Sequence, residues 1–163
     1  MSDVKNEKIE EFLNNLESPS PTPGGGAAAA LTGAMAASLV KMVVNLTKTN
    51  SALLKTCGER AKSLKVMLLE LADEDCRAFD EVIAAYRSKD KEGIKKSLQK
   101  AISVPGKTML LSNEVLRLAK IVLKKGNKNT LSDAKSAIYL AQAAIRSADE
   151  NVKINQQSLA ALT

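Results

Sequence analysis

The stretch CGERAKSLKVMLLELADEDCRAFDEV, residues 57–82, decides the fold. Along it Cys57, Ala61, Leu64, Leu68, Leu71, Asp75, Ala78 and Val82 recur at alternating steps of four and three, the spacing of a helix face packed inside a bundle. From a break at Thr49 to Ser51 to about Arg87 there is no proline, and Gly58 is the sole glycine, so one long helix is expected. Asp75 holds a seam position. A straight helix drifts against a heptad, which would slide the seam to Ala72, Cys76, Phe79 and Ile83 and leave Asp75 at its margin.

Working toward the N-terminus, Ala27 to Thr47 is apolar for about twenty residues, close to bilayer-spanning length. It is dominated by alanine and interrupted by Thr32, Ser38, Lys41 and Asn45, too weakly hydrophobic for lipid, so a buried bundle helix is expected. Gly26, Ala30, Gly33 and Ala37 allow another backbone to approach closely. Ahead of it, Ser18-Pro-Ser-Pro-Thr-Pro-Gly-Gly-Gly26 ends a short amphipathic helix read over Asp3 to Leu16, with Ile9, Phe12, Leu13 and Leu16 as its apolar positions. The Pro23-Gly24-Gly25-Gly26 entry presents unpaired helix-start amides to an anion or carbonyl, or is simply a helix-entry turn. It lacks the preceding strand and the Gly-Lys-Ser/Thr of a nucleotide phosphate loop.

Toward the C-terminus a helix starts near Asp90, and Ser103-Val-Pro-Gly106 is expected to break or kink it before it resumes from Lys107 to Lys124. Gly126-Asn-Lys-Asn129 ends that helix. The last one is expected to begin at Ser132 as N-cap, with Asp133 in its first turn where negative charge suits the helix dipole. On one of its faces lie Asp133, Ala137, Ala141, Ala144, Ala148, Asn151 and Asn155, open to a partner helix or a ligand; Ile138, Ile145 and Val152 on the other face suffice for core packing. No stretch alternates as a strand would, so the chain reads as all-α. Its 163 residues fit one domain, 1–163.

Composition narrows the chemistry. Without histidine there is no Ser-His-Asp triad, no Cys-His pair and no common zinc set, so acid–base work falls to carboxylates, Lys, Tyr, Cys or water. Aromatic residues are only 2% of the chain, which disfavours base-stacking platforms for single-stranded nucleic acid. The net charge is +6, and the stretch Arg87 to Lys100, with six basic residues against Asp90 and Glu92, supplies +4 of it. That cluster is a solvated helix face or an attractor for an anionic ligand. Cys57 and Cys76, 19 residues apart on one helix, stand about 28 Å apart and cannot pair. Met1 to Glu11 has no apolar signal-peptide core, so a cytoplasmic protein is expected.

Five segments in order resemble one family. Pro21-Thr-Pro-Gly-Gly-Gly26 with the helix ending Met42-Val-Val-Asn-Leu-Thr47, Asp75-Cys-Arg-Ala-Phe79, Ala101-Ile-Ser-Val-Pro105, Gly126-Asn-Lys-Asn129 with Ser132-Asp133, and Asn151-Val-Lys-Ile-Asn155 are similar to signatures of the formiminotransferase-cyclodeaminase and methenyltetrahydrofolate cyclohydrolase family. The resemblance spans about Phe12 to Leu159. It implies a multi-helix up-and-down bundle with long antiparallel helices, forming a homodimer with the folate site near the dimer interface. The implied reaction is hydrolysis of 5,10-methenyltetrahydrofolate to 10-formyltetrahydrofolate. The alternatives are a cyclodeaminase that closes a 5-formimino group and releases ammonia, or a non-catalytic helical dimer.

By that resemblance Asp133 and Asp75 are the expected catalytic carboxylates. Asn151 or Asn155 would orient pterin or water, Pro23 and Gly24 to Gly26 would line the ligand, and Lys107 or Lys128 would hold glutamate carboxylates. A tetrahydrofolate derivative is the substrate, with no permanently bound cofactor or metal, no nucleic acid and no membrane. Asp133 and Asn155 are 22 residues apart on one helix, about 33 Å, so they serve different ligand parts, different sites, or a site shared between antiparallel subunits. Relatives usually continue through another helix beyond Asn155, whose lack would expose the core or open the site. They also tend to carry an apolar residue where Gly106 stands, so packing there is expected to differ.

Overall fold

The computed structural model describes residues 3–48 and 50–162, and among them every regular element is helical. Helix α1 spans Ile9–Glu17, α2 Gly25–Asn45, α3 Ala52–Ser88, α4 Lys91–Lys125 and α5 Leu131–Ala160, with 3-10 turns at Val4–Asn6 and Lys128–Thr130. The all-α expectation holds. Of the break at Thr49 to Ser51, Thr49 lies outside the described residues; Ser51 caps α3, its hydroxyl accepting the Leu54 N–H at 3.4 Å.

The long seam of α3 is buried at Cys57, Ala61, Leu64, Leu68, Leu71, Ala78 and Val82, while Phe79 of the alternative register is exposed. Three ion pairs fix α4 antiparallel to α3: Arg60 with Glu114, Glu74 with Lys107 and Glu81 with Lys100. Lys41 on α2 reaches Glu59 on α3 at 2.8 Å, and Asn155 on α5 reaches the Ala101 carbonyl on α4 at 2.8 Å. Successive helices therefore run up, down, up and down, and α2 closes the bundle against α5.

Helix α2 is long and apolar enough to cross a bilayer by length and composition, and half of it is covered by the chain's own helices. Ala27, Ala30, Ala36, Ala37, Val40 and Val43 are fully buried. Gly33 faces Ser112 and Leu68 so closely that a β-carbon would stand 2.7 Å from the serine oxygen. Small residues on α5 answer those on α2: Ala137, Ala141, Ala144 and Ala148 are fully buried too. The alanine face of α5 is thus the core face, and Ile138, Ile145 and Val152, expected to serve the core, are only half-buried. Close backbone approach decided the orientation, since alanine admits a neighbouring helix where a branched side chain would hold it off.

Three local expectations are corrected. The N-terminal helix begins at Ile9, not Asp3; Phe12 is buried while Ile9 and Leu13 point outward, and Val4 in the preceding 3-10 turn covers the core instead. Helix α4 runs unbroken through Pro105. Proline leaves the carbonyl four residues earlier, on Ala101, without its helical donor, and the Asn155 amide supplies one. Helix α5 starts at Leu131 with Thr130 as N-cap, so Ser132 lies inside the first turn. Asn127 organises that entry, its side chain accepting the Asn129 N–H and donating to the Leu46 carbonyl.

Candidate functional site

The entry to α2 is where the sequence motifs converge. Gly24, with extended backbone, is the N-cap; having no side chain it offers no acceptor, so the first-turn amides must donate to acceptors from elsewhere. The carboxylate of Asp75, delivered from the middle of α3, lies directly over Gly26 and accepts the Ala27 N–H. A β-carbon at position 26 would overlap both carboxylate oxygens, so the glycine is required by this approach. From the other side Asn151 of α5 packs its amide against Gly25, and donates to the Ser147 carbonyl at 2.8 Å. Ser147, one turn before Asn151, turns its hydroxyl toward the Gly25 carbonyl at 3.4 Å.

Electrostatics at this point are unusual for a carboxylate. Among the described residues no lysine or arginine forms an ion pair with Asp75, and burial pushes its carboxyl up to about 6, with the Ala27 N–H pulling part of the way back. A carboxyl titrating near neutrality, half-buried beside a glycine-rich helix start, is suited to taking and returning a proton. Cys76, next in the chain, is not a competing nucleophile: burial, then the carboxylates of Asp75, Asp73 and Asp80, push its thiol up to about 11.

The expected site residues do not all meet. Pro23 leads into Gly24, Gly25 and Gly26 through a cis Thr22–Pro23 bond, and Asp75 and Asn151 join them. Lys107 is exposed on α4 at the same level, 3.5 Å from Glu74. Asn155 is occupied with the Ala101 carbonyl. Asp133 and the exposed Lys128 sit at the opposite end of α5: Asp133 precedes Asn151 by 18 residues, about 27 Å along the helix. Within one chain, Asp133 and Asp75 are therefore not one centre. Ser147 was missed although its spacing of four from Asn151 placed it on the same face.

Beside the site, between the N-terminal segment, the 18–23 loop and α3, lies a cavity of about 480 Å³. It reaches the site at Pro23 and Cys76, the chain neighbours of Gly24 and Asp75. Among the described residues no group of three His, Cys, Asp or Glu side chains is placed to hold a metal ion.

Comparison with known proteins agrees with this fold. Residues 8–161 match the family model described as formiminotransferase-cyclodeaminase. The chain is 42% identical to a protein of Methylorubrum extorquens named methenyltetrahydrofolate cyclohydrolase, over 94% of this chain and 81% of that one. The crystal structure of formiminotetrahydrofolate cyclodeaminase from Thermotoga maritima superimposes with a TM-score of 0.90 at 30% identity, covering 96% of this chain and 81% of that one.

Proposed function

The chain belongs to the formiminotransferase-cyclodeaminase family, and from that premise we propose that it hydrolyses 5,10-methenyltetrahydrofolate to 10-formyltetrahydrofolate. The observation that carries the reading is Asp75, a carboxyl held near neutral titration over the first turn of α2 without a cationic partner. The methenyl carbon is already an amidinium-like electrophile, so the protein needs to place water, accept its proton and set negative charge beside the cation. Asp75 does all three. As the water oxygen bonds to the methenyl carbon, the carboxylate takes the proton. The tetrahedral adduct then breaks its bond to N5, which receives the proton held by Asp75, while the adduct hydroxyl releases its proton to water and becomes the formyl oxygen on N10. The Gly25 and Gly26 amides and the Asn151 side chain orient water or pterin, and Lys107 is the nearer lysine for the glutamate carboxylate.

The relative's name favours hydrolysis over cyclodeamination, whereas the similar solved structure bears the other activity. Ammonia release from 5-formiminotetrahydrofolate distinguishes them. Hydrolysis predicts rapid loss of methenyl absorbance and no ammonia; ammonia without absorbance loss from the methenyl compound establishes the alternative.

A homodimer is part of the same reading. Met35 on α2 is 53% exposed, between Leu31, Leu39 and Met42, which are half-buried along the same side of the helix, and a second copy would cover what they leave open. Two α2 helices paired antiparallel bring the glycine-rich end of one chain toward the Asp133 end of the other. Asp133 enters the reaction only in that arrangement. Only in that arrangement does Asp133→Asn lose turnover, and mixing it with Asp75→Asn then restores part of the activity; an active Asp133→Asn, or no restoration, confines the site to one chain. The buried, unpaired Cys57 and Cys76 suit a reducing cytoplasm, and the reading needs no nucleic acid, membrane or resident cofactor.

A further inference from the structure

A second cavity, of about 230 Å³, opens between α2 and α3 at the end of α2 away from Gly24, and Lys41, Lys62 and Lys65 converge on it. Asn45 adds an amide, Ala37, Met42 and Ala61 supply apolar surface, and no acid lines the wall. Between α3 and α4, by contrast, each cation meets its own carboxylate, as in Arg60 with Glu114, Lys107 with Glu74 and Lys100 with Glu81. Here the one counter-carboxylate is Glu59, 2.8 Å from Lys41 and also attracted to Lys62. Lys62 and Lys65 form no ion pair or hydrogen bond among the described residues. Three positive charges facing one negative leave +2 at a concave wall. Gly58 makes the crowding possible: a β-carbon there would stand 3.4 Å from Lys41 Cδ and 2.9 Å from Val44 Cγ1, so the Lys41 stem lies against bare α3 backbone. Like charges gathered at a concavity repel one another, and an anion placed among them relieves the repulsion.

We infer that this cavity holds the carboxylates of a γ-linked oligoglutamate tail on the folate substrate. The inference rests on the folate reading above and adds the place where the far end of the substrate binds. Distance selects the tail over the pterin. Lys65 and Lys62 precede Asp75 by 10 and 13 residues on α3, and Lys41 follows Gly26 by 15 on α2, so these lysines stand about 15 to 23 Å from the site along the helix axes. From the reacting carbon, the p-aminobenzoyl group and the first glutamate extend about 12 Å, and each further γ-linked residue adds about 6 Å, by ordinary bond lengths. The second and third glutamates therefore arrive at the cavity, while Lys107, level with the site, meets only the first. Each glutamate brings a free α-carboxylate, and lysines, as flexible point charges with rotatable donors, hold carboxylates at successive positions without demanding one geometry.

Lys62→Gln combined with Lys65→Gln removes the two ammonium groups that hold no ion pair within the chain, so the fold is left intact. Lys95→Gln combined with Lys96→Gln, exposed on α4, removes the same charge elsewhere and serves as control. Binding of γ-linked pentaglutamate, a peptide with no pterin, is followed by calorimetry on the full chain. It is expected to weaken at least tenfold in the first variant and to stay within twofold of the parent in the second. In turnover, the parent's KM for the triglutamate form of the methenyl compound is expected to lie at least tenfold below that for the monoglutamate. The first variant loses that difference, with kcat and the monoglutamate KM within twofold of the parent. No saturable peptide binding by the parent, unchanged affinity in the Lys62 and Lys65 variant, or an equal loss in the control overturns the inference. Inorganic phosphate that binds the same lysines as tightly as the peptide makes this a general anion site and overturns the tail assignment. Lysine-dependent peptide binding without turnover of the methenyl compound overturns the hydrolase reading alone; turnover indifferent to tail length overturns the cavity's role alone.

Discussion

The two ends of the bundle use the same residue types to opposite effect. At the Asn127 end the groups satisfy one another: the Thr47 hydroxyl accepts the Asn127 N–H at 2.9 Å and donates to the Val43 carbonyl, and the Thr130 hydroxyl donates to the Asn127 carbonyl at 2.7 Å. Asp133 there sits in the first turn of its own helix, in a conventional dipole position. At the Gly24 end the capping carboxylate comes from another helix, is half-buried without an ion pair among the described residues, and is pushed by that burial up to about 6. An acid near a helix start is therefore structural when it belongs to the helix it caps, and chemically useful when it is imported from another helix and desolvated.

Asp75→Asn breaks this contrast most severely. Loss of a general base lowers kcat by about 10²- to 10⁴-fold. Stability moves the other way. The folded carboxyl titrates at about 6 against an ordinary 3.8, so the folded chain binds the proton more tightly. The stabilisation is full below pH 3.8 and is lost as pH rises through 6. At pH 7.5 the amide removes a cost on the order of 3 kcal/mol, and thermal unfolding should show a higher Tm for the inactive variant. A lower Tm contradicts the assignment of a desolvated carboxylate.

Gly26→Ala comes next, because the added methyl meets the Asp75 carboxylate. Overpacking costs about 1–3 kcal/mol, and denaturant unfolding with turnover should show stability and activity falling together. Gly33→Ala, which crowds Ser112 and Leu68 away from the site, should lose comparable stability and retain kcat.

These variants also mark what was legible in the sequence. The seam of α3, the alanine-rich α2 and the glycine entry follow from periodicity and backbone chemistry, and they leave Asp75 either in the packed seam or at its margin. Local pattern could not show that Pro105 leaves α4 intact, because the compensating donor, Asn155, lies 50 residues further along the chain. Nor could it choose between the alanine and isoleucine faces of α5, since both are apolar and the choice depends on how closely α2 approaches. Asp133 and Asp75 are equally acidic in sequence; only the fold separates them by the length of a helix.

Asn155→Ala should cost about 1–3 kcal/mol by leaving the buried Ala101 carbonyl unpaired. Pro105→Ala restores the helical N–H, so chemical denaturation of the double variant should show most of that cost gone. An unchanged cost would make Asn155 a ligand contact instead of a structural donor. The smallest effect is expected for Asp133→Asn, about 0.3–1 kcal/mol from the helix dipole, with kcat within a few-fold when its own subunit supplies the site. A hundredfold loss of turnover would place Asp133 in a site shared between subunits.

The most direct test is the pH dependence of methenyltetrahydrofolate hydrolysis, followed by its absorbance, for the parent and Asp75→Asn. The account predicts a parent rate that rises with pH through an inflection near 6, where the Asp75 carboxyl ionises, and a variant whose residual rate is lower by about 10²- to 10⁴-fold and shows no inflection there. A variant that keeps the parent's rate and its inflection would contradict it, because the proton would then be taken elsewhere.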